Sequence, residues 1–415
     1  LNADVRPHDV KALFRSMNWW KSIGDDNVRS MVLSAMAESH EFIRRTSELF
    51  TAILRSRDIP ELWRTVVLSV LYKGKGSRQD PSNSRGIALM SILAKAYEKI
   101  LVDRIVVFLE ANGRFDQNTN GSRKGRSAVD NAMLVQMAAE LVILEGGKLL
   151  GVFLDERKCY PTAFREGIMW ALLEAGVEGD IWHAMDAMQE GLRCRVRNGH
   201  KLSAFFDLLH GILEGACSSP PKYSIFAEAL ATALRAAKLG LSITLAGGEV
   251  VWLGMLGFVD DKCLLSTSFS EMQDMLDVAV TVSRVQRSVY SLPKSVLIQF
   301  VGSHSSRRER IALTLKGMHG EPVTAGEQVV TPQADVDVRG KAVNPREHVR
   351  EVHWWKYVGV ALQADMKHDK MVDQIVGAGK AKAVALGNYL SFAGGLTPVV
   401  QLAVVTAIMP GVMLY

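Results

Sequence analysis

Apolar runs without a polar break, period-two alternation and helical spacing divide this chain into a mixed series of strands and helices. Thr65 to Tyr72, TVVLSVLY, is β-branched and apolar and predicts a strand, followed by the basic turn Lys73-Gly74-Lys75-Gly76. Leu149 to Leu154, LLGVFL, predicts a fully buried strand that ends on Asp155. Val250 to Leu256 and VLIQF from Val296 read as further strands. Apolar positions from Val28 through Met36 to Ile53 keep helical spacing, which predicts one helix capped by Asp25-Asp26 and ended by Ile59-Pro60. The same spacing predicts helices over about Met90 to Ala111, Ala163 to Ala175, Ile181 to Met188, Tyr223 to Ala237 and Ser270 to Gln286. Arg193, Arg195 and Arg197 alternate with Cys194 and Val196 ahead of Asn198-Gly199, the pattern of a hairpin with a type I′ turn and a return over Lys201 to Phe206. His353 to Val360 is the last strand signal, and helices are expected to finish the chain.

Composition alters this picture little. With 48% hydrophobic and 22% charged residues over 415 positions, the chain has the make-up of a soluble globular protein of two or three domains. Cys159, Cys194, Cys217 and Cys263 show no CxxC spacing, which points to free thiols in a reducing compartment and no zinc site. Ala383 to Tyr415 lacks charge, but Asn388, Gly394-Gly395, Pro398, Gln401 and Pro410 interrupt it, so a short buried helix over Val399 to Met409 is expected rather than a membrane span. The chain opens at Leu1 without an initiator Met or a charged-then-apolar leader. It therefore reads as an excerpt of a longer protein, without a secretory signal.

Charge placement is more informative. Between Arg64 and Arg126 stand twelve Lys or Arg and five Asp or Glu, a local balance above the +5 of the whole chain. Lys73, Lys75, Arg85, Arg123, Lys124 and Arg126 lie in Gly-flanked loops, as a phosphate-contacting surface requires. The three alternating arginines share one face, which a nucleic-acid backbone or plain solvent would both suit. Acidic residues gather elsewhere. Gly257 to Asp261 reads as a hairpin turn that pushes two carboxylates out of a buried sheet, a turn suited to metal ions as well as to solvent. Asp155 at the end of its strand is either a helix cap or a ligand. Gly215 and Ala216, in GILEGACSSPP, allow a ligand close to the backbone, and a plain helix entry fits them equally.

Taken in order, these pieces resemble the reverse transcriptases of non-LTR, LINE-type retrotransposons. The resemblance runs from Ile59-Pro60-Glu61-Leu62-Trp63 to Tyr415. It rests on Ser84-Arg85-Gly86-Ile87-Ala88-Leu89, Gln117 with Gly121 to Ser127, Phe153-Leu154-Asp155 with Tyr160, Glu214-Gly215 with Ser219-Pro220, Phe258-Val259-Asp260-Asp261, Leu292-Pro293-Lys294 and Tyr357-Val358-Gly359. It implies an α+β right-hand polymerase: fingers with an N-terminal helical part over 1–145, an antiparallel-sheet palm over 146–302, and a primer-grip strand with a helical thumb-like part over 303–415. It further implies RNA-directed DNA synthesis by two-metal nucleotidyl transfer onto a primer 3′-hydroxyl. Asp155, Asp260 and Asp261 would hold two Mg²⁺ ions, with Mn²⁺ as an alternative, since hard cations take carboxylate ligands. Lys294 would protonate pyrophosphate. Lys73 and Arg85 would grip the triphosphate, Tyr160 would exclude a 2′-hydroxyl, and Gly215 would admit the nucleotide. Arg123, Lys124 and Arg126 would hold template, with Tyr357 and Gly359 at the primer. The implied partners are an RNA template, a DNA primer or target and deoxynucleoside triphosphates, with no membrane. By analogy the protein would be intracellular, in cytoplasm and nucleus.

Four departures stand beside the resemblance. The family's Ala-Tyr-Asp is Cys159-Tyr160-Pro161, its Gln-Gly is Glu214-Gly215, its Arg-Pro-Ile is Arg85-Gly86-Ile87, and its Gly-Phe is Gly121-Ser122. They set a second reading beside the first: a catalytically inactive RNA-binding module from a decayed element copy.

Overall fold

Leu149–Leu154 is buried along its whole length because it is the centre strand of a five-stranded sheet. The computed structural model describes residues 1–17, 23–245, 247–301, 313–315, 349–358, 360–366 and 370. The expected helices at the end of the chain, including Val399 to Met409, lie outside them. The architecture is α+β. The described residues fall into two compact units whose segments alternate along the sequence. The first comprises Leu1–Gly125, Glu156–Ala233 and Thr281–Val289; the second comprises Arg126–Asp155, Leu234–Val280 and the described residues from Tyr290 onward.

In the second unit the sheet order is Arg350–Glu351, Val296–Phe300, Leu149–Leu154, Asp261–Ser266 and Met255–Phe258, antiparallel except for the first pair. Helix Ala128–Leu144 contributes Ala132, Val135, Ala138, Ala139 and Val142 to the core shared with Leu149, Phe153 and Leu256. Its hydrophobic pattern carries no clear period, so periodicity did not mark it. A capping box does: Ser127 accepts from the Asp130 backbone, and Asp130 accepts from the Ser127 backbone. The expected strand over Val250 to Leu256 is two strands. Val250–Trp252 pairs with Ser242–Thr244, and Met255–Phe258 pairs with Asp261–Ser266. The break falls at Gly254, where a Cβ would stand 2.8 Å from the Gly240 Cα, so the two glycines let these backbones touch. The single strand expected over His353 to Val360 is likewise a hairpin, Trp354–Tyr357 against Val360–Gln363, turned at Val358 with φ +42°.

In the first unit the sheet order is Ser84–Leu89, Thr65–Tyr72, Arg193–Asn198 and Lys201–Leu202, with Phe206–Asp207 also paired to Arg193–Asn198. Arg85, expected in a Gly-flanked loop, lies instead on the strand Ser84–Leu89, an antiparallel partner of Thr65–Tyr72. Arg193–Asn198 is more than half of a hairpin, since it runs parallel to Thr65–Tyr72. Its turn sits one residue later than expected, at Gly199-His200, with Asn198 opposite Lys201 and Gly199 at φ +61°. The long N-terminal helix is broken into Ser30–Met36 and His40–Ser56, because the Ser39 side chain accepts from the Phe42 N–H and restarts it. Asp26 instead accepts from the N–H of Ile92, capping the distant helix Ile92–Ala111. Helix Ser219–Ala227 begins earlier than expected, with Pro220 and Pro221 in its first turn. Phe50, Trp63 and Tyr97 form an aromatic knot in this unit's core, with centroids 5.3 to 6.0 Å apart. All four cysteines are free thiols. Among the described residues no helix is long and apolar enough to cross a membrane.

Candidate active site

The second unit's sheet register assembles an acidic cluster. Leu154 stands opposite Lys262 in the antiparallel ladder, so one step outward Asp155 faces Asp261 at neighbouring-strand spacing. Asp261 also closes the hairpin opposite Phe258, leaving Val259-Asp260 as its two-residue turn. Val259 adopts φ +59°, which costs a β-branched residue on the order of 1–3 kcal/mol. Such strain persists only where the surroundings enforce it. The hydrophobic pattern predicted the hairpin but not its strained residue.

Asp155, Asp261 and Lys294 line one cavity of about 450 Å³, with Phe258 and Tyr357. Lys294, in the turn Leu292–Lys294, donates to Asp155 Oδ2 at 3.2 Å. The Asp155 backbone is held from the same turn: its carbonyl accepts from Ser291 N at 2.7 Å, and its N–H donates to Ser295 Oγ at 3.3 Å. Burial pushes the Asp261 carboxyl up to about 6, and the charges of Asp260 and Asp155 push in the same direction. The ammonium groups of Lys262 and Lys294 oppose that rise. Lys262 is a residue the sequence reading passed over: only 1% exposed, it carries its ammonium 5.8 Å from the Tyr290 ring. Among the described residues, no group of three or more His, Cys, Asp or Glu side chains is gathered closely enough to hold a metal ion. The donor set itself suits a hard cation. It consists of carboxylate oxygens whose mutual repulsion already shows in Asp261, and a divalent ion would relieve that repulsion.

Tyr357, expected at a primer, turns inward instead. It is 3% exposed, packs 4.9 Å from the Phe153 ring, and donates to the Leu256 carbonyl at 3.3 Å. Asn131, wholly buried, donates to the Tyr357 hydroxyl and to the Gly257 carbonyl, both at 3.1 Å. These two side chains therefore brace the strand that carries the acidic turn. Asn131 was missed because its helix was missed. Gly359 lies outside the described residues.

The first unit gathers most of the nucleotide-side candidates around the loop from Gly211 to Gly215. Ile212 N donates to the Tyr160 carbonyl at 2.8 Å, and Ala88 N donates to the Glu214 carbonyl at 2.6 Å. Gly215 has φ +109°, and a Cβ there would sit 3.1 Å from the Ala88 oxygen, so a side chain at this position is doubly disfavoured. Arg85, on Ser84–Leu89, points its Nε to Glu214 Oε1 at 3.7 Å. The Tyr160 ring meets Tyr223 edge-on at 5.6 Å, and the Tyr223 hydroxyl bonds the Glu156 carboxylate. Neither Tyr223 nor Glu156 carried a sequence signal. Lys73, at the start of the basic turn, donates to the Ser82 carbonyl at 2.9 Å, just ahead of the strand Ser84–Leu89.

The basic loop divides in its use. Arg123, expected at template, is buried: it donates to both oxygens of Glu110 at 2.8 Å and to the carbonyls of Asp116 and Thr119 at 2.7 and 3.0 Å. Its guanidinium holds the 116–123 loop together and presents no edge to phosphate. Lys124 and Arg126 are exposed. Of the alternating arginines, Arg195 pairs with Asp25, and both Arg193 and Arg195 stack on Phe205.

Comparison with known proteins agrees with the resemblance read from the motifs. Over 357 residues, 86% of this chain, it is 22% identical to a protein of Drosophila melanogaster named a probable RNA-directed DNA polymerase from transposon X-element. Over 224 residues, 54% of the chain, it is 22% identical to a second from the same organism, named a probable RNA-directed DNA polymerase from transposon BS. The matched segments span 35% and 24% of those two proteins, so the chain corresponds to about a third or less of each. No protein-family model matches the chain.

Proposed function

We propose that this chain is the polymerase part of a non-LTR retroelement protein, an RNA-directed DNA polymerase with fingers, palm and thumb, extending a primer 3′-hydroxyl with deoxynucleotides. The observation that carries the proposal is the register that ends on Leu154 opposite Lys262 and brings Asp155, Asp261 and Lys294 to one cavity, with Asp260 in the adjoining turn. The similarity to the two transposon polymerases supports it.

In this reading Asp155, Asp260 and Asp261 hold two divalent cations, Mg²⁺ or Mn²⁺, which when bound supply activation of the primer hydroxyl and neutralisation of the leaving pyrophosphate. The chain's own residues do the rest. Lys294 sets its amine 3.2 Å from Asp155, where it can hand a proton to pyrophosphate. Arg85 offers a guanidinium fork to the triphosphate, and Lys73 adds a point charge. Tyr160, buttressed by Tyr223, closes the space that a ribose 2′-hydroxyl would need. Lys124 and Arg126 meet template phosphates. Tyr357 acts on the primer indirectly, by bracing the acidic strand.

The test is primer extension on an RNA template with deoxynucleotides and Mg²⁺. Extension by the wild type that is lost in Asp260→Ala is the expected outcome. A wild type that binds RNA but never extends would establish the inactive binding module instead. The departure at Glu214 is the observation that favours that second reading.

A further inference from the structure

We propose that Glu214 is an internal stand-in for the incoming triphosphate: it holds Arg85 until a nucleotide displaces it, and so sets the affinity of the nucleotide site. This inference rests on the reading of Arg85 as a triphosphate-gripping residue. It concerns a departure from the family's pattern, a carboxylate one residue before Gly215.

The geometry argues for a latch that stays in place. The Glu214 backbone is stitched to the strand bearing Arg85 through the 2.6 Å bond from Ala88 N to its carbonyl. The next carbonyl, of Gly215, accepts from Lys95 Nζ at 3.3 Å. With Gly215 at φ +109° against Ala88, the loop has no slack to carry the carboxylate away from the strand. The side chains, by contrast, meet loosely. Arg85 Nε and Glu214 Oε1 are 3.7 Å apart, within ion-pair range and beyond a hydrogen bond, and the two side chains are 60% and 26% exposed. A half-solvated pair of this kind is weak and salt-sensitive. A triphosphate brings several charges and bidentate oxygens to the same guanidinium and displaces a single distant carboxylate. The competition lowers apparent affinity without abolishing binding.

Binding of dTTP with Mg²⁺ is measured by calorimetry at low and high salt for wild type, Glu214→Gln, Arg85→Ala and the double variant. Gln keeps the side-chain size and leaves every backbone bond of the loop intact. The expected result is about five- to tenfold tighter binding in Glu214→Gln at low salt, equivalent to about 1.0–1.4 kcal/mol. That gain shrinks at high salt and disappears when Arg85 is absent. Unchanged or weaker binding in Glu214→Gln, while Arg85→Ala binds poorly, overturns the latch and leaves the nucleotide site standing. An equal gain in the Arg85→Ala background also overturns it, because Glu214 would then merely repel the ligand. No weakening in Arg85→Ala overturns the gripping role itself, and the latch with it.

Discussion

The two units place charge in opposite ways. Around the second unit's acidic turn, carboxylates sit at the edge of a buried sheet, and burial first, then the neighbouring charges of Asp260 and Asp155, push the Asp261 carboxyl up to about 6. Around the first unit's Gly215 loop, opposite charges meet in the open, as Arg85 with Glu214. Crowded carboxylates are satisfied by a cation from outside, whereas a loose internal pair is opened by a competing anion. In the proposed function the first cluster would take a metal and the second a polyphosphate.

The largest effect that could break this comparison is catalytic. Asp155→Asn should lower extension by on the order of 10³-fold while leaving the folded baseline in circular dichroism unchanged; a mild loss would remove Asp155 from the chemistry. Next is Arg123→Ala, which removes the paired bonds to Glu110 and the bonds to the Asp116 and Thr119 carbonyls in the first unit. It should destabilise the protein by about 3 kcal/mol in urea unfolding, an effect far larger than a phosphate contact would produce on stability.

The Asp261 proton gives a third test, in the second unit. In the unfolded chain the carboxyl titrates near its ordinary value of 3.8, and in the folded protein at about 6. Between those values the folded state binds more protons than the unfolded one, so this group's contribution to stability falls as pH rises from about 4 to about 6 and is flat above. The change is on the order of 3 kcal/mol. Asp261→Asn should flatten that slope in unfolding curves taken at several pH values, and an unchanged slope would place the proton elsewhere. Tyr357→Phe follows, with an expected loss of about 1 kcal/mol in stability and unchanged affinity for a primer duplex by fluorescence anisotropy. A selective loss of duplex affinity would return Tyr357 to direct primer contact. Smallest is Lys124→Ala, expected to lower RNA affinity a few-fold and to reduce the salt dependence of log K by about one ion, with no change in stability.

Much of the local structure was legible in the chain. Leu149–Leu154 falls where an unbroken apolar run predicted it, because a strand buried on both faces leaves little room for a polar residue. Thr65–Tyr72 and Val296–Phe300 also fall where predicted, although the first leaves Val70 and Leu71 exposed and the second buries Gln299. The acidic turn was legible for the complementary reason, that adjacent carboxylates cannot stay inside a sheet unpaired. Helix Ala128–Leu144 escaped because apolar residues lie almost all round it, and the break at Ser39 escaped because helical spacing continues through it.

Sequence alone therefore determined which segments are apolar enough to form a core and which residues have the chemistry for a cation or a phosphate. Those properties are carried by neighbouring residues and need no distant partner. Tertiary structure alone decided how that chemistry is deployed. It sent Arg123 inward to Glu110, turned Tyr357 beneath the acidic strand with Asn131, set Asp155 opposite Asp261 through a ladder between strands more than a hundred residues apart, and laid Glu214 beside Arg85. A charged or polar side chain takes whichever partner satisfies it at lowest free energy, and that partner is fixed only when the strands have chosen their neighbours.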